Sequence, residues 1–212
     1  MKILQITAGP ISTNAYLVIG NDEKEAILID TPPESSEEFM RLVEENNLEI
    51  RAITLTHSHW DHAADCGVLH DLLKAPVYIH KDDEYRLIDP MKHTIFPLPF
   101  EILPHKAEKY LEENKKINFG GSSLNIIHTP GHTEGSVCLI DNESKIIFGG
   151  DLIFAGSVGR TDLPGGDSIK MKKSLKEIVN KFPDDFIIYS GHGPETTLGI
   201  EKQSNPFLRG LN

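Results

Sequence analysis

Short apolar runs bounded by turn residues dominate the first thirty positions. KILQITAG (2–9) and NAYLVIG (14–20) read as strands around the Gly9-Pro10 turn. EAILID (25–30) is a third strand, entered from Asn21 and Asp22 and ended by Pro32 and Pro33. The period then changes. In SSEEFMRLVEENN (35–47), Phe39, Leu42 and Val43 repeat at helical spacing and acids fill the first turn. Ser35 or Ser36 is the expected N-cap. RAITLTH (51–57) reads as a buried strand, AADCGVLHDLL (63–73) as a helix, PVYIH (76–80) as a strand and HKDDEYRLID (80–89) as a short helix.

MKHTIFPLPFEILPHK (91–106) breaks both periods. It holds three of the thirteen prolines and reads as a long irregular loop, a feature that often serves a site. Beyond it, SSLNIIHT (122–129), GSVCLID (135–141) and KIIFGGD (145–151) read as strands. SIKMKKSLKEIVNKF (168–182) is an amphipathic helix with a basic polar face, and FIIYSG (186–191) a last strand. This order is neither the even alternation of a barrel nor that of a dinucleotide fold; no GxGxxG follows a strand. It predicts two sheets covered by helices in one domain spanning 1–212.

Composition narrows the partners. The formal net charge of −11 argues against a nucleic-acid partner, which ordinarily needs a basic face. The two cysteines, Cys66 and Cys138, form no CxxC pair, so no disulfide framework is expected and a reducing compartment fits. No run approaches a membrane span and the N-terminal residues lack the features of a signal peptide. The expectation is a cytoplasmic protein with no membrane partner.

The candidate chemistry begins at THSHWDH (56–62). His57 and His59, two apart on an extended segment, point the same way and can reach one cation. Asp61 and His62 follow as the chain turns into a helix, and can serve a second. The bland alternative makes Asp61 a helix N-cap and the histidines solvated loop residues. Three later segments weigh against it. HTPGHTEGS (128–136) carries His132, FGGDLIF (148–154) carries Asp151 and YSGHGPET (189–196) carries His192. Each ligand type sits at the C-terminal end of a strand, on a turn that glycine lets approach a shared centre. His70, His80, His93 and His105 lack this context and are expected to be surface or helix residues. His128 reads as structural, or as a support for the site. Ser58 and Trp60 read as spacers.

Together, HSHWDH, TPGHTEGS, GGD and GHG resemble the metallo-β-lactamase superfamily, in the family's order and over nearly the whole chain. The resemblance implies an αββα sandwich, an α+β fold of two mixed sheets flanked by helices, with two divalent metal ions at one edge. Carried over by residue, His57, His59 and His132 would hold one ion, Asp61, His62 and His192 the other, and Asp151 would bridge them. Asp30, ending EAILID, matches an acid that supports the ligands from behind. Imidazole and carboxylate donors without thiolate suit zinc first, with iron or manganese as alternatives. Two such ions activate a shared water and polarise a carbonyl, with Asp61 orienting the nucleophile.

Within the superfamily, no cysteine stands at a ligand position, which disfavours the lactamases that use one. GDLIFAGSVGRTDLPGGD (150–167) and SNPFLRG (204–210) resemble glyoxalase II and its shorter bacterial relatives. That implies hydrolysis of a small thioester, S-lactoylglutathione being the type, with Arg160 placed to meet a glutathione carboxylate. The helical domain that follows in full-length glyoxalase II has no counterpart in the twenty residues after His192. The rival reading is a persulfide dioxygenase using one iron on His57, His132 and Asp151. Lactone or phosphodiester hydrolysis is a third, and metal binding without turnover a fourth.

Overall fold

A computed structural model describes residues 1–212 except His93, Phe96 and Asn212. Its first sheet is built from β1 (Lys2–Ala8), β2 (Thr13–Ile19), β3 (Glu25–Ile29), β4 (Glu49–Thr54), β5 (Val77–Ile79) and β6 (Lys109–Tyr110), in that order across the sheet. β1, β2 and β3 pair antiparallel; β3 to β6 run parallel. Helices α1 (Ser36–Glu45), α2 (Trp60–Ala63), α3 (Cys66–Leu73) and α4 (Glu84–Ile88) lie in the connections between these strands. The second sheet contains β7 (Lys116–Phe119), β8 (Ser122–His128), β9 (Val137–Asp141), β10 (Ile146–Gly150), β13 (Ile187–Ser190) and β14 (Thr196–Thr197), ordered β14-β13-β10-β9-β8-β7. β11 (Ile153–Phe154) and β12 (Ser157–Val158) form a separate hairpin; α5 (Ser168–Lys181) and α6 (Leu198–Ser204) complete the chain.

Strand alternation sorts the apolar residues into three layers. On β2 and β3, Ala15, Leu17, Ala26 and Leu28 face outward, against Phe39 and Val43 of α1 and Cys66 and Leu69 of α3. Their neighbours Tyr16, Val18, Ile27 and Ile29 face inward, against Leu124, Ile126, Val137, Leu139 and Phe148 of the second sheet. On that sheet's outer face, Cys138, Ile140, Ile147 and Ile188 pack on Met171, Leu175, Ile178 and Val179 of α5. Both faces of each sheet are therefore covered, which explains why these strands read as continuous apolar runs. The result is the expected αββα sandwich with mixed sheets. Among the described residues no helix is long and apolar enough to cross a membrane.

Several expectations shift. The helix predicted over 63–73 begins earlier and divides into α2 and α3, because Ala64 and Asp65 lie between them. Ser35 is the N-cap of α1 but makes no capping bond; its hydroxyl donates to the Pro32 carbonyl. Asp65 caps the helix instead, accepting from the Ser35 and Ser36 amides at 3.0 and 2.9 Å. β6, β11, β12 and β14 have two residues each, too few for a period, and exist only through their partners. His80 is buried, not a surface residue, and its ring stacks on His128 at 4.0 Å. His70 and His105 are half-buried neighbours, and His93 lies outside the described residues.

Candidate metal centre

β3 and β4 run parallel, as do β10 and β13, so their C-terminal ends gather chemistry at one edge. β3 delivers Asp30, β4 delivers the 56–62 segment, β10 delivers Asp151 and β13 delivers His192. Thr13, at the start of antiparallel β2, bridges to His192 and brings the two sheets together there. Asn14 fastens the same corner, donating to the carbonyls of Ser190 and Gly193 at 3.1 and 2.8 Å.

All seven predicted donors converge. The ring centroids of His57, His59 and His132 lie 4.5–4.9 Å apart, and one nitrogen from each falls in a single cluster. Asp61, His62 and His192 form a second cluster, with Asp61 Oδ2 3.3 Å from Nε2 of each histidine. Asp151 stands between them: Oδ1 is 3.2 Å from His62 Nε2, and Oδ2 is 3.4 Å from His132 Nε2 and 3.6 Å from His192 Nε2. Glycine permits this approach. A Cβ at Gly191 would strike Asp151 Oδ1 and His62 Cε1.

Outer hydrogen bonds fix which nitrogen faces inward. His132 Nδ1 donates to the Arg160 carbonyl at 2.7 Å. His62 Nδ1 donates to Asp30 Oδ2 at 2.8 Å, and His57 Nδ1 lies 3.2 Å from Thr56 Oγ1, which itself donates to Asp30. Nε2 of His57, His62 and His132 is thereby turned to the centre. Three buried atoms there make no hydrogen bond: His57 Nε2, and His62 Nε2 and Asp151 Oδ1, which face each other as an ion pair at 3.2 Å. Buried polar atoms are ordinarily satisfied, so three such atoms at one centre fit a cation site.

In the metal-free centre the imidazoles divide: His57 and His59 are lowered, whereas carboxylate neighbours raise His62 and His192. Burial pushes His57 well below the ordinary histidine value, with His62 and His132 adding to the effect. Burial and His132 bring His59 down to about 3. Both imidazoles are thus set as neutral donors. His62 goes the other way: burial opposes its charge, but Asp151, Asp61 and Asp30 together hold it well above the ordinary value. Burial opposes ionisation of Asp61 and Asp151 as well, yet both are lowered, with the charge of His62 leading. Neutral imidazoles and ionised carboxylates are the donor set of zinc, iron or manganese.

A family model, that of the metallo-beta-lactamase superfamily, matches residues 8–192. The chain belongs to that superfamily. Hydroxyacylglutathione hydrolase GloC of Haemophilus influenzae is 34% identical over 98% of this chain and 97% of its own. Among solved structures, the BLEG-1 B3 metallo-beta-lactamase is 36% identical, with a TM-score of 0.89 over 99% of this chain and all of its own. TTHA1623, solved in a di-iron-bound form, is 37% identical, with a TM-score of 0.86 over 97% of this chain and all of its own.

The centre forms the floor of a cavity of about 460 Å³ lined also by Ile11, Trp60, Arg86, Pro90, Ile95, Phe154, Val158, Arg160 and Leu163. The 91–106 segment contributes to its wall through Ile95. Trp60 is therefore more than a spacer: it lines the cavity and packs on Phe100, ring centroids 5.8 Å apart. Asn205, in the SNPFLRG segment, is fully buried and donates to the Ser157 carbonyl at 2.9 Å, bracing the β11–β12 hairpin that carries Phe154 and Val158. Arg160 reaches the cavity, but its guanidinium forks onto Asp162 at 2.7 Å twice. Arg86, the other lining cation, is paired with Asp83 and Glu134.

Proposed function

We propose that this protein is a metal-dependent hydrolase that cleaves thioesters of the hydroxyacylglutathione class. Seven donors converging at one centre, three of them with a buried atom that makes no hydrogen bond, carry the reading. His57, His59 and His132 would hold one divalent ion and Asp61, His62 and His192 a second, with Asp151 between them. Two such ions, when bound, lower the pKa of a shared water and draw charge from the carbonyl under attack. Zinc suits these donors best, with iron the alternative that the di-iron relative brings forward.

The chain's own residues supply position and exclusion. Asp61 orients the attacking water by accepting its hydrogen bond; Thr13, donating to Asp61 Oδ2 at 3.1 Å, fixes that carboxylate. Trp60, Phe154 and Leu163 give the cavity apolar walls that hold the acyl portion and displace water. Likeness to GloC over nearly full length in both chains supports the thioester class. Cys66 and Cys138 are buried and are not among the described residues that line the cavity, so no enzyme thiol is placed to take the acyl group.

The test is a metal count per chain together with two assays, S-lactoylglutathione cleavage and oxygen uptake with glutathione persulfide. The expected result is about two metals and thioester cleavage that Asp61→Ala abolishes. About one iron per chain, persulfide-dependent oxygen uptake and no cleavage would overturn the proposal.

A further inference from the structure

Asp83 is the N-cap of α4, yet its carboxylate makes no capping bond to that helix. It is fully buried and turned to the metal centre's supports instead. Asp83 Oδ2 accepts three hydrogen bonds, from the Ser58 amide at 2.9 Å, the Ser58 hydroxyl at 2.9 Å and the Thr133 hydroxyl at 2.8 Å. Oδ1 accepts from the Gly135 amide at 2.7 Å. Ser58 stands between His57 and His59, and Thr133 directly follows His132. One oxygen atom therefore ties together the two chain segments that carry His57, His59 and His132. Gly135 makes the approach possible, because a Cβ there would sit 2.7 Å from Asp83 Cβ.

Arg86 supplies the compensating charge within the same helix turn. It lies 3.3 Å from Asp83 Oδ1 and donates to Glu134 at 2.8 Å and the Pro164 carbonyl at 2.9 Å. The pair ties to α4 two loops that have no regular structure of their own.

We infer that Asp83 is a positioning residue that sets the His57–His59–His132 triad for its metal ion. The inference rests on the metal assignment proposed above and adds a residue outside it. Asp30 serves His62 and, through Thr56, His57, but makes no bond to the 132–135 segment. Asp83 thus adds a buried carboxylate link between these segments, beside the Val137 amide's bond to the Thr56 carbonyl at 2.9 Å and the 2.8 Å contact of His59 Nδ1 with His132 Nε2.

The test is zinc affinity, measured by titrating metal-free protein against a chromophoric chelator. Two backgrounds separate the ions: His192→Ala keeps the triad, and His59→Ala keeps the second cluster. Asp83→Asn is expected to weaken zinc at least tenfold in the first background and less than about threefold in the second, in line with the usual loss when a ligand's support is removed. Thermal melting of the metal-free protein is recorded beside it. A lowered melting point with unchanged zinc affinity would reduce Asp83 to a structural role and overturn the inference. Should Asp83→Asn not fold, Thr133→Val removes one donor and leaves the carboxylate in place. Several-fold weaker zinc in the triad background supports the inference, and wild-type affinity overturns it. A parent protein that binds no zinc overturns the metal assignment and this inference together, whereas two tight zinc ions with insensitive variants overturn this inference alone.

Discussion

His62 donates from Nδ1 to Asp30 Oδ2 at 2.8 Å, and this bond decides which of its nitrogens faces the metal centre. Asp30 holds a left-handed backbone conformation, φ 59°, at the end of β3, and is buried. The same carboxylate accepts from the Thr56 amide at 2.7 Å and the Thr56 hydroxyl at 2.8 Å. Asp30→Asn keeps the volume and one acceptor. Its oxygen can keep accepting from the Thr56 amide only if NH2 takes the Oδ2 position, which faces His62 Nδ1 and the Thr56 hydroxyl, so a donor then faces the His62 donor. His62 must switch tautomer, which places a proton on Nε2 and blocks that atom as a ligand. The expected outcome is a folded protein whose Asp61–His62–His192 site loses about 10–100-fold in metal affinity. Unchanged stepwise affinities in a chelator competition would contradict the tautomer argument.

The charge on His62 gives a pH prediction. In the metal-free protein burial opposes that charge, but Asp151, Asp61 and Asp30 raise its pKa well above the ordinary value. A raised folded-state pKa contributes stability that is full below the unfolded value, about 6.5, and is lost as pH rises through the folded value. Metal-free protein should therefore lose stability on going alkaline in that window. Metal binding must expel the same proton, so affinity should rise with pH over the same range. Calorimetric zinc titrations in buffers of different ionisation enthalpy report the released proton directly; buffer-independent heats near neutral pH would show that His62 is already neutral.

The residues that converge on the candidate centre were legible in the sequence because each lies on a short motif at a strand end. HSHWDH, TPGHTEGS, GGD and GHG need only the assumption that parallel strands bring their C-terminal ends together. The sandwich was legible for a related reason, since apolar runs on β2, β3, β9 and β10 announce strands buried on both faces. Asp83, Asp65 and Asn205 were not legible. Each acts on residues 25 to 52 positions away, or on a hairpin with no period of its own. Asp83 in particular sits where a local reading assigns a helix cap. Arg160 was legible as a cavity residue, whereas its pairing with Asp162 two positions on was not read.

Gly191 offers a steric test. A Cβ at this position would strike Asp151 Oδ1 and His62 Cε1, both buried and both held by the surrounding strands. The backbone cannot retreat freely, because the Gly191 amide donates to the Gly150 carbonyl at 2.8 Å and its carbonyl accepts from Asn14 at 2.7 Å. Gly191→Ala should destabilise the fold by roughly 1–3 kcal/mol, the usual cost of overpacking. It should also lower bound metal from about two ions per chain to one or none by separating Asp151 from His62. Wild-type metal content measured by atomic emission would mean that the site tolerates the displacement.

Arg160 and Asp162 make the substrate prediction. Their bidentate pair is exposed, with side-chain exposures of 60% and 68%, so water and salt weaken it and a ligand carboxylate can compete for the guanidinium. Asp162→Asn removes the internal competitor. It should lower KM for S-lactoylglutathione by roughly threefold and leave KM for an uncharged acyl thioester unchanged. Arg160→Ala should raise KM for the glutathione substrate by roughly fivefold with kcat preserved, because the group meets the leaving portion and not the reacting carbonyl. The substitution spares the Arg160 carbonyl that accepts from His132 Nδ1, so metal content should not change. Equal effects of Arg160→Ala on both substrates would reject carboxylate recognition by this side chain, and a fall in kcat with metal loss would show that it acts through His132 instead.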